Sequence, residues 1–135
     1  MKRRARAIGR PTKAQQARQD AQRLHGCAMC HLRGCAQPNQ TEIHHLTTGD
    51  LHGQKQRGQD FTVGLCGWHH RGDPRDFESY GGACRIERDM RNGYGPSFAL
   101  HKRAFMDELS RALGERSMEA LMRWQDSRIG NRRAA

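Results

Sequence analysis

Two short cysteine and histidine motifs in the sequence are of the kind that bind metal ions. Cys27 and Cys30 form a Cys-x-x-Cys motif, and Cys66 and His69 form a Cys-x-x-His motif. Each motif presents two ligands from one turn of the chain, and two such turns complete the tetrahedral ligand set of a structural zinc ion. The sequence therefore predicts a structural Zn²⁺ site at these four residues.

The two motifs are separated by more chain than a zinc ribbon contains. Residues 31–65 lie between them, whereas the ribbon spacing is roughly 15 to 20 residues. The extra length predicts an insertion between the two knuckles, as in a treble-clef-like core that carries a β-hairpin. Within this insertion His31 and Cys35 are alternatives for one zinc ligand. Cys84, further along, is predicted to be a loop or core cysteine.

Three further histidines have no task in such a zinc site. His44 and His45 are adjacent in a segment of strand-like composition, and His70 follows the zinc ligand His69. Because neighbouring residues of a strand point to opposite faces, His44 and His45 are expected to have different roles. The set predicts a one-metal hydrolytic centre, with Mg²⁺ or Mn²⁺ on His44 and His70 and with His45 as the general base. The histidines predicted to be structural or surface residues are His25, His31, His52 and His101.

The positive charge is concentrated outside this cysteine and histidine region. Of the formal net charge of +10, residues 1–25 contribute +7, residues 26–96 are balanced and residues 97–135 contribute +3. A basic arm beside a near-neutral domain favours a polyanionic partner, because each neutralised phosphate releases condensed counterions. Nucleic acid is the leading candidate, and a tail that only solubilises the protein is the alternative. The residues predicted to contact DNA are Lys2, Arg3, Arg4, Arg6, Arg10, Lys13 and Arg71.

Composition divides the chain into three parts. Residues 1–24 have almost no apolar stripe and are predicted to be a basic arm that is disordered or a frayed helix. Residues 25–114 are predicted to form the zinc-bound domain, and residues 115–135 a C-terminal helix with a basic tail. The expected fold is therefore a small, irregular, zinc-stabilised α+β domain.

Within these parts a few elements have clear sequence signals. Residues 41–46 and 60–65 are predicted to be short strands, from their Thr, Ile, Val and Phe content. Apolar residues at helical spacing predict amphipathic helices over 97–113 and 117–130. Residues 72–95 are rich in glycine and are expected to be mostly loop.

The cysteine count and the N-terminus bear on the cellular compartment. The five cysteines are an odd number, which favours thiolate ligands over a disulfide framework. No apolar run of the length of a membrane span or a signal peptide follows the basic start of the chain. We therefore expect a cytoplasmic protein with reduced thiols.

Four segments carry a family resemblance that covers about residues 26–113. They are Cys27-x-x-Cys30, Ile43-His44-His45-Leu46, Leu65-Cys66-Gly67-Trp68-His69-His70-Arg71, and Tyr94-Gly95-Pro96-Ser97-Phe98-Ala99-Leu100 followed by Phe105. Together they resemble the HNH (ββα-metal) nucleases and, more narrowly, the phage recombination enhancement (Ref-type) family of RecA-dependent nucleases.

The resemblance implies a fold and an activity. It implies a ββα-metal core in an irregular, zinc-stabilised hairpin domain, so that residues 25–114 would be an HNH-type nuclease domain. The implied activity is metal-dependent cleavage of single-stranded or displacement-loop DNA where a RecA-type recombinase filament displaces a strand. The implied setting is the cytoplasm of a bacterial or phage-infected host cell.

One position departs from the family pattern. The middle residue of an HNH motif is usually Asn or His, and here the matching stretch contains Gln59 followed by Asp60. An amide is a poorer metal ligand than an imidazole, but it can orient the general base through hydrogen bonds. Gln59 and Asp60 are therefore both candidates for this part of the catalytic site.

Two other classes of function fit the same composition. A zinc module with a basic arm can bind DNA without cutting it, since phosphate contacts alone provide affinity. A recombination accessory protein would instead recruit a partner through its C-terminal helices. The three histidines outside the zinc set favour the nuclease, whereas Gln59 favours the non-catalytic binding protein.

Overall fold

The computed structural model of the chain describes residues 8–38, 40–51, 54–74 and 87–134, with side chains as far as residue 130. These residues form six helices and two strands. In chain order the elements are α1 (Lys13–His25), α2 (Ala28–Arg33), β1 (Glu42–His45), β2 (Thr62–Leu65), α3 (Gly67–Arg71), α4 (Glu87–Tyr94), α5 (Lys102–Leu113) and α6 (Met118–Ala134).

The two strands form an antiparallel hairpin that leads directly into a short helix. In the register, His44 lies opposite Val63 and His45 lies opposite Thr62. A bridge between Thr47 and Gln56 continues the pairing beyond the strands. Since β2 is followed at once by α3, the hairpin and this helix form a β-β-α unit. The two predicted strands are confirmed.

Helix α1 corrects the prediction for the N-terminal arm. We predicted that residues 1–24 are disordered or a frayed helix, but α1 is a capped helix from Lys13 onward that packs on β2. Its N-terminus is a capping box, in which the Thr12 side chain and the Gln15 side chain each bond the backbone N–H of the other residue. Residues 1–7 lie outside the described part of the chain.

Polar side chains rather than apolar ones attach α1 to the hairpin. The buried Gln22 amide donates to the Thr62 carbonyl oxygen at 2.8 Å and accepts the Thr62 hydroxyl at 2.9 Å. Arg18 donates to the same hydroxyl and forms an ion pair with Asp126 of α6 at 2.9 Å. A Cβ at Gly64 would lie 3.0 Å from the Gln22 carbonyl oxygen, so the glycine allows this close approach. The result is a helix that belongs to the domain.

The hydrophobic core lies between the hairpin, the knuckles and the C-terminal helices. Its largest fully buried side chains include Trp68, Phe105, Met29 and Leu109. Helix α5 ends as predicted at Leu113, before Gly114, but begins at Lys102 rather than at residue 97. The preceding turn bonds α3 instead, since the Phe98 N–H donates to the His69 carbonyl oxygen at 2.9 Å.

The remaining differences from the sequence predictions concern helices. Helix α6 continues beyond residue 130, where the prediction ended, and α4 lies in a stretch expected to be mostly loop. The short α4 has a single described core residue, Met90, so its apolar signal in the sequence is weak. Cys84 and the rest of residues 75–86 lie outside the described part of the chain. No helix among the described residues is long and apolar enough to cross a membrane.

Candidate functional site

The four predicted zinc ligands lie together in the core. Cys27, Cys30, Cys66 and His69 are all fully buried, and their ligand atoms lie within 4.8 Å of one another. The Nδ1 atom of His69 lies 3.2 to 3.4 Å from the three Sγ atoms, and the Sγ atoms of Cys30 and Cys66 are 3.9 Å apart. With Zn–S bonds of about 2.3 Å, neighbouring ligands of a tetrahedral zinc ion are separated by roughly this much. The cluster can therefore hold a structural metal such as zinc.

Two similar turns position these ligands. Cys27 is the N-cap of α2 and Cys66 is the N-cap of α3, and each thiol accepts the backbone N–H of the next ligand in its motif at 3.4 Å. The other ring nitrogen of His69, Nε2, lies 2.8 Å from the Tyr94 carbonyl oxygen and donates to it. This bond places the ring proton on Nε2 and leaves the Nδ1 lone pair for a metal ion.

The ionisation of the three thiols also suits a metal site. Hydrogen bonding to Cys27 and burial raise the pKa of Cys30 and of Cys66. Burial opposes ionisation of Cys27, but the hydrogen bonds from Cys30 and Cys66 and the nearby His69 outweigh it, so that the pKa of Cys27 is well below its usual value. Because zinc binds thiolates, a bound zinc ion would displace the protons that hydrogen bonding and burial favour on Cys30 and Cys66.

A second group of histidines lies on the same β-β-α unit, on β1 and α3. The rings of His44 on β1 and His70 on α3 are in edge contact, with centroids 4.9 Å apart. The His44 ring also contacts Phe98 at 4.9 Å. A carboxylate oxygen of Glu42 lies 3.7 Å from Nδ1 of His70. Because Glu42 and His44 are two residues apart on β1, they point to the same side of the hairpin.

His45 points away from this pair and contacts Gln59. Its Nε2 atom lies 3.0 Å from the Gln59 side-chain oxygen. An amide oxygen can only accept, so Nε2 carries the proton and the lone pair of the neutral ring is on Nδ1. The side chain of Asp60, the other candidate at this position, is exposed and accepts from Gln15. In the described contacts, Gln59 is thus the residue that bonds His45.

The comparison with protein families gives a direct result. A model of the recombination enhancement, RecA-dependent nuclease family matches residues 11–125, which include α1, both knuckles, the hairpin and most of the C-terminal helices. The chain belongs to this family. The Ref-type resemblance inferred from the motifs is therefore confirmed. No curated protein and no solved structure gives a significant match.

In this member of the RecA-dependent nuclease family, the structure adds residues to the site that the motifs did not indicate. The Lys102 ammonium lies 4.0 Å above the Phe98 ring, which in turn contacts His44. Burial lowers the pKa of Lys102, and Asp50 partly opposes this shift. Glu42 had a usable signal, since it precedes His44 by two positions in a strand. Lys102 had no local signal, because only tertiary packing brings the start of α5 to the hairpin.

The predicted DNA contacts divide into three groups. Arg10 and Lys13 are exposed at the start of α1, whereas Arg71 donates through Nε to both carboxylate oxygens of Glu42 at 2.9 Å. Arg71 is thus held against the residue that faces His70. The third group, outside the described part of the chain, is Lys2, Arg3, Arg4 and Arg6.

Three of the histidines predicted to be structural or surface residues belong to the described part of the chain, and all three lie outside the site. They are His25, His31 and His101. His31 donates to the His25 carbonyl oxygen at 2.6 Å, and the two rings stack with centroids 4.1 Å apart. His101 accepts the Ser97 N–H at Nδ1 and bonds Glu87 through Nε2. His52 lies outside the described residues.

Proposed function

We propose that the protein is a metal-dependent DNA endonuclease of the HNH type, with a ββα-metal core that is stabilised by zinc. Membership of the RecA-dependent nuclease family supports nuclease activity in recombination. The observation that supports the HNH assignment is the arrangement of three histidines on one β-β-α unit. His44 and His70 are in contact with each other. His45 lies on the opposite side of the strand, with the lone pair of its ring on Nδ1.

His44 and His70 would hold the catalytic divalent cation, Mg²⁺ or Mn²⁺. Two imidazoles in contact, with the Glu42 carboxylate beside one of them, suit a cation that keeps open positions for a phosphate oxygen and water. Such a cation would supply positive charge against the charge that develops on the phosphate and on the departing 3′ oxygen. The side chain of Gln59 is hydrogen-bonded to His45 instead, and it is not one of the ligands that we propose for this cation.

His45 acts as the general base in the proposed reaction. Its Nδ1 atom accepts a proton from water, the water oxygen forms the new bond to phosphorus, and the bond from phosphorus to the 3′ oxygen breaks as that oxygen takes a proton from solvent. The Nε2–H bond to Gln59 holds the ring in one orientation throughout. Lys102, whose ammonium lies 4.0 Å above the Phe98 ring, is suited to neutralise a neighbouring phosphate of the substrate.

The substrate we propose is single-stranded or displacement-loop DNA, acted on with a RecA-type filament. Cleavage of both DNA forms should be measured with the zinc-loaded protein, in the presence and absence of Mg²⁺ and with and without recombinase filaments. We expect cleavage that requires Mg²⁺ and is strongest with filaments. A protein that holds zinc and binds DNA but cuts neither form under any of these conditions would contradict the nuclease and favour a DNA-binding accessory protein.

The N-terminal arm gives a separate prediction about affinity. Replacing Arg10 and Lys13 together with alanine should weaken DNA binding and reduce the slope of log K against log salt concentration by about 0.7 to 0.9 for each lost phosphate contact. Fluorescence anisotropy over a salt series measures both quantities. The matched control replaces Arg88 and Arg111, two exposed arginines of α4 and α5. An equal change in the control would show that net charge matters and the arm does not.

Deleting residues 1–24 is a poor test of the same point. That deletion would remove most of α1, whose buried Gln19 and Gln22 bond the hairpin region. Loss of binding would then reflect loss of structure. Charge substitutions at exposed positions avoid this ambiguity, because surface changes of this kind usually alter stability by less than about 0.5 kcal/mol.

A further inference from the structure

The side chain of Gln59 is held at both ends by groups from the N-terminal part of the chain. Its oxygen accepts the Gln19 amide of α1 at 2.8 Å, in addition to Nε2 of His45 at 3.0 Å. Its nitrogen donates to the Gly9 carbonyl oxygen at 2.7 Å. Gln19 is only 3% exposed and also donates to the Gln59 carbonyl oxygen at 3.2 Å. The two lone pairs of the Gln59 side-chain oxygen are thus both used.

These contacts decide which way the Gln59 amide points. If it rotated by half a turn, its NH₂ group would face the NH₂ group of Gln19, and its oxygen would face the carbonyl oxygen of Gly9. The groups in each facing pair would repel each other, and the part-buried bond to Gln19 and the exposed bond to Gly9 would both be lost. The oxygen of Gln59 is therefore kept towards His45.

The direction of the amide in turn decides where the proton lies on His45. Facing an oxygen, Nε2 must be the protonated nitrogen, and the lone pair is on Nδ1. Facing an NH₂ group, Nε2 would have to accept, and the proton would move to Nδ1. A ring nitrogen that already carries a proton has no lone pair in the ring plane, so it cannot accept a proton from water.

We propose that Gln19 is a positioning residue: by fixing the direction of the Gln59 amide, it keeps His45 in the tautomer that has its lone pair on Nδ1. Helix α1 then contributes to catalysis through its buried face, separately from any contact of its exposed residues with DNA. The link to catalysis rests on the proposed function, whereas the tautomer is a property of the folded protein and can be measured on its own.

The test uses Gln19→Glu in the full-length, zinc-loaded protein. A carboxylate at this position only accepts, so it favours the rotated Gln59 amide and thereby the other tautomer of His45. The ¹⁵N chemical shifts of the His45 ring nitrogens, assigned by comparison with His45→Ala, report the tautomer without any substrate. We expect protonated Nε2 in the wild type and protonated Nδ1 in Gln19→Glu. In cleavage assays kcat should fall by about 10² or more, with KM changed by less than about threefold.

The matched control is Gln22→Glu, one turn further along the same face of α1. Gln22 is buried and bonds Thr62, but it has no described contact with Gln59. The Gln22→Glu variant should therefore keep the wild-type tautomer of His45 and most of the wild-type kcat. If Gln19→Glu does not fold, Gln19→Met removes the donor without adding a charge, and should give a mixture of tautomers and a kcat lowered by about threefold to tenfold.

The outcomes separate the two proposals. Protonated Nε2 in folded Gln19→Glu, or an unchanged single tautomer and kcat in Gln19→Met, would overturn the positioning role. The same tautomer change in Gln22→Glu would also overturn it, because the effect would then be one of general packing. A tautomer change in Gln19→Glu would support the positioning role even if the wild type cut no DNA, and that result would count against the nuclease alone.

Discussion

His45→Ala is expected to cleave DNA about 10² to 10⁴ times more slowly than the wild type, with its zinc content and DNA affinity unchanged. The side chain is half-buried on β1 and its described bond is to Gln59. Removing it therefore takes away the proposed proton acceptor and leaves the cysteine cluster and the His44–His70 pair in place. Initial rates on single-stranded and displacement-loop DNA in Mg²⁺ measure the effect.

A histidine outside the site provides the control for this variant. His31→Ala removes an exposed imidazole from α2, next to the zinc knuckle but on a side chain that bonds only the His25 backbone and ring in the described contacts. It should cut at close to the wild-type rate. Unimpaired cleavage by His45→Ala would remove His45 from the mechanism, and an equal loss in both variants would indicate damage to the fold.

Cys27→Ser is expected to lose its metal and to unfold. The cysteine is fully buried at the point where both knuckles meet, and a serine hydroxyl is a far weaker zinc ligand than a thiolate. Structural zinc contributes roughly 10 to 16 kcal/mol to small metal domains, which equals or exceeds the whole stability of a typical domain. Circular dichroism and a zinc assay of the purified variant measure the two effects. A chelator that removes zinc from the wild type should reproduce them.

The chain contains a suitable matched cysteine for comparison. Cys35 is half-buried and lies outside the cluster, although it packs against the same core. Cys35→Ser should therefore retain the metal and the wild-type circular dichroism spectrum, with a loss of stability of about 1 kcal/mol. A folded Cys27→Ser protein with a full equivalent of zinc would contradict the structural role of the cluster.

The parts of the site that the sequence predicted are those with a local cause. Two ligands in a tight turn are neighbours whatever the rest of the chain does, so Cys27 with Cys30 and Cys66 with His69 could be paired from their spacing. The opposite orientations of His44 and His45 follow in the same way from the alternation of a strand. The contact of His44 with His70 needed the pairing of β1 with β2 in addition to the short connection from β2 to α3.

The N-terminal helix shows where such reasoning stopped. The residues of its capping box, Thr12 and Gln15, are present in the sequence. The prediction of disorder or a frayed helix depended instead on the charge of this segment and on its lack of an apolar stripe. The face that packs on the hairpin is made of glutamines instead, Gln19 and Gln22, which patterning treats as surface residues. A helix buried through hydrogen bonds has no hydrophobic period to detect.

The sequence by itself determined the two cysteine and histidine pairs of the cluster, the hairpin and the family, because each depends on residues a few positions apart or on short motifs in a fixed order. Only the tertiary structure decided that Gln19 meets Gln59, and that Lys102 lies beside Phe98 near His44. The physical reason is that a hydrogen bond or a cation over a ring depends on where distant segments are packed. Neither interaction imposes a periodic pattern on the segments that supply its partners.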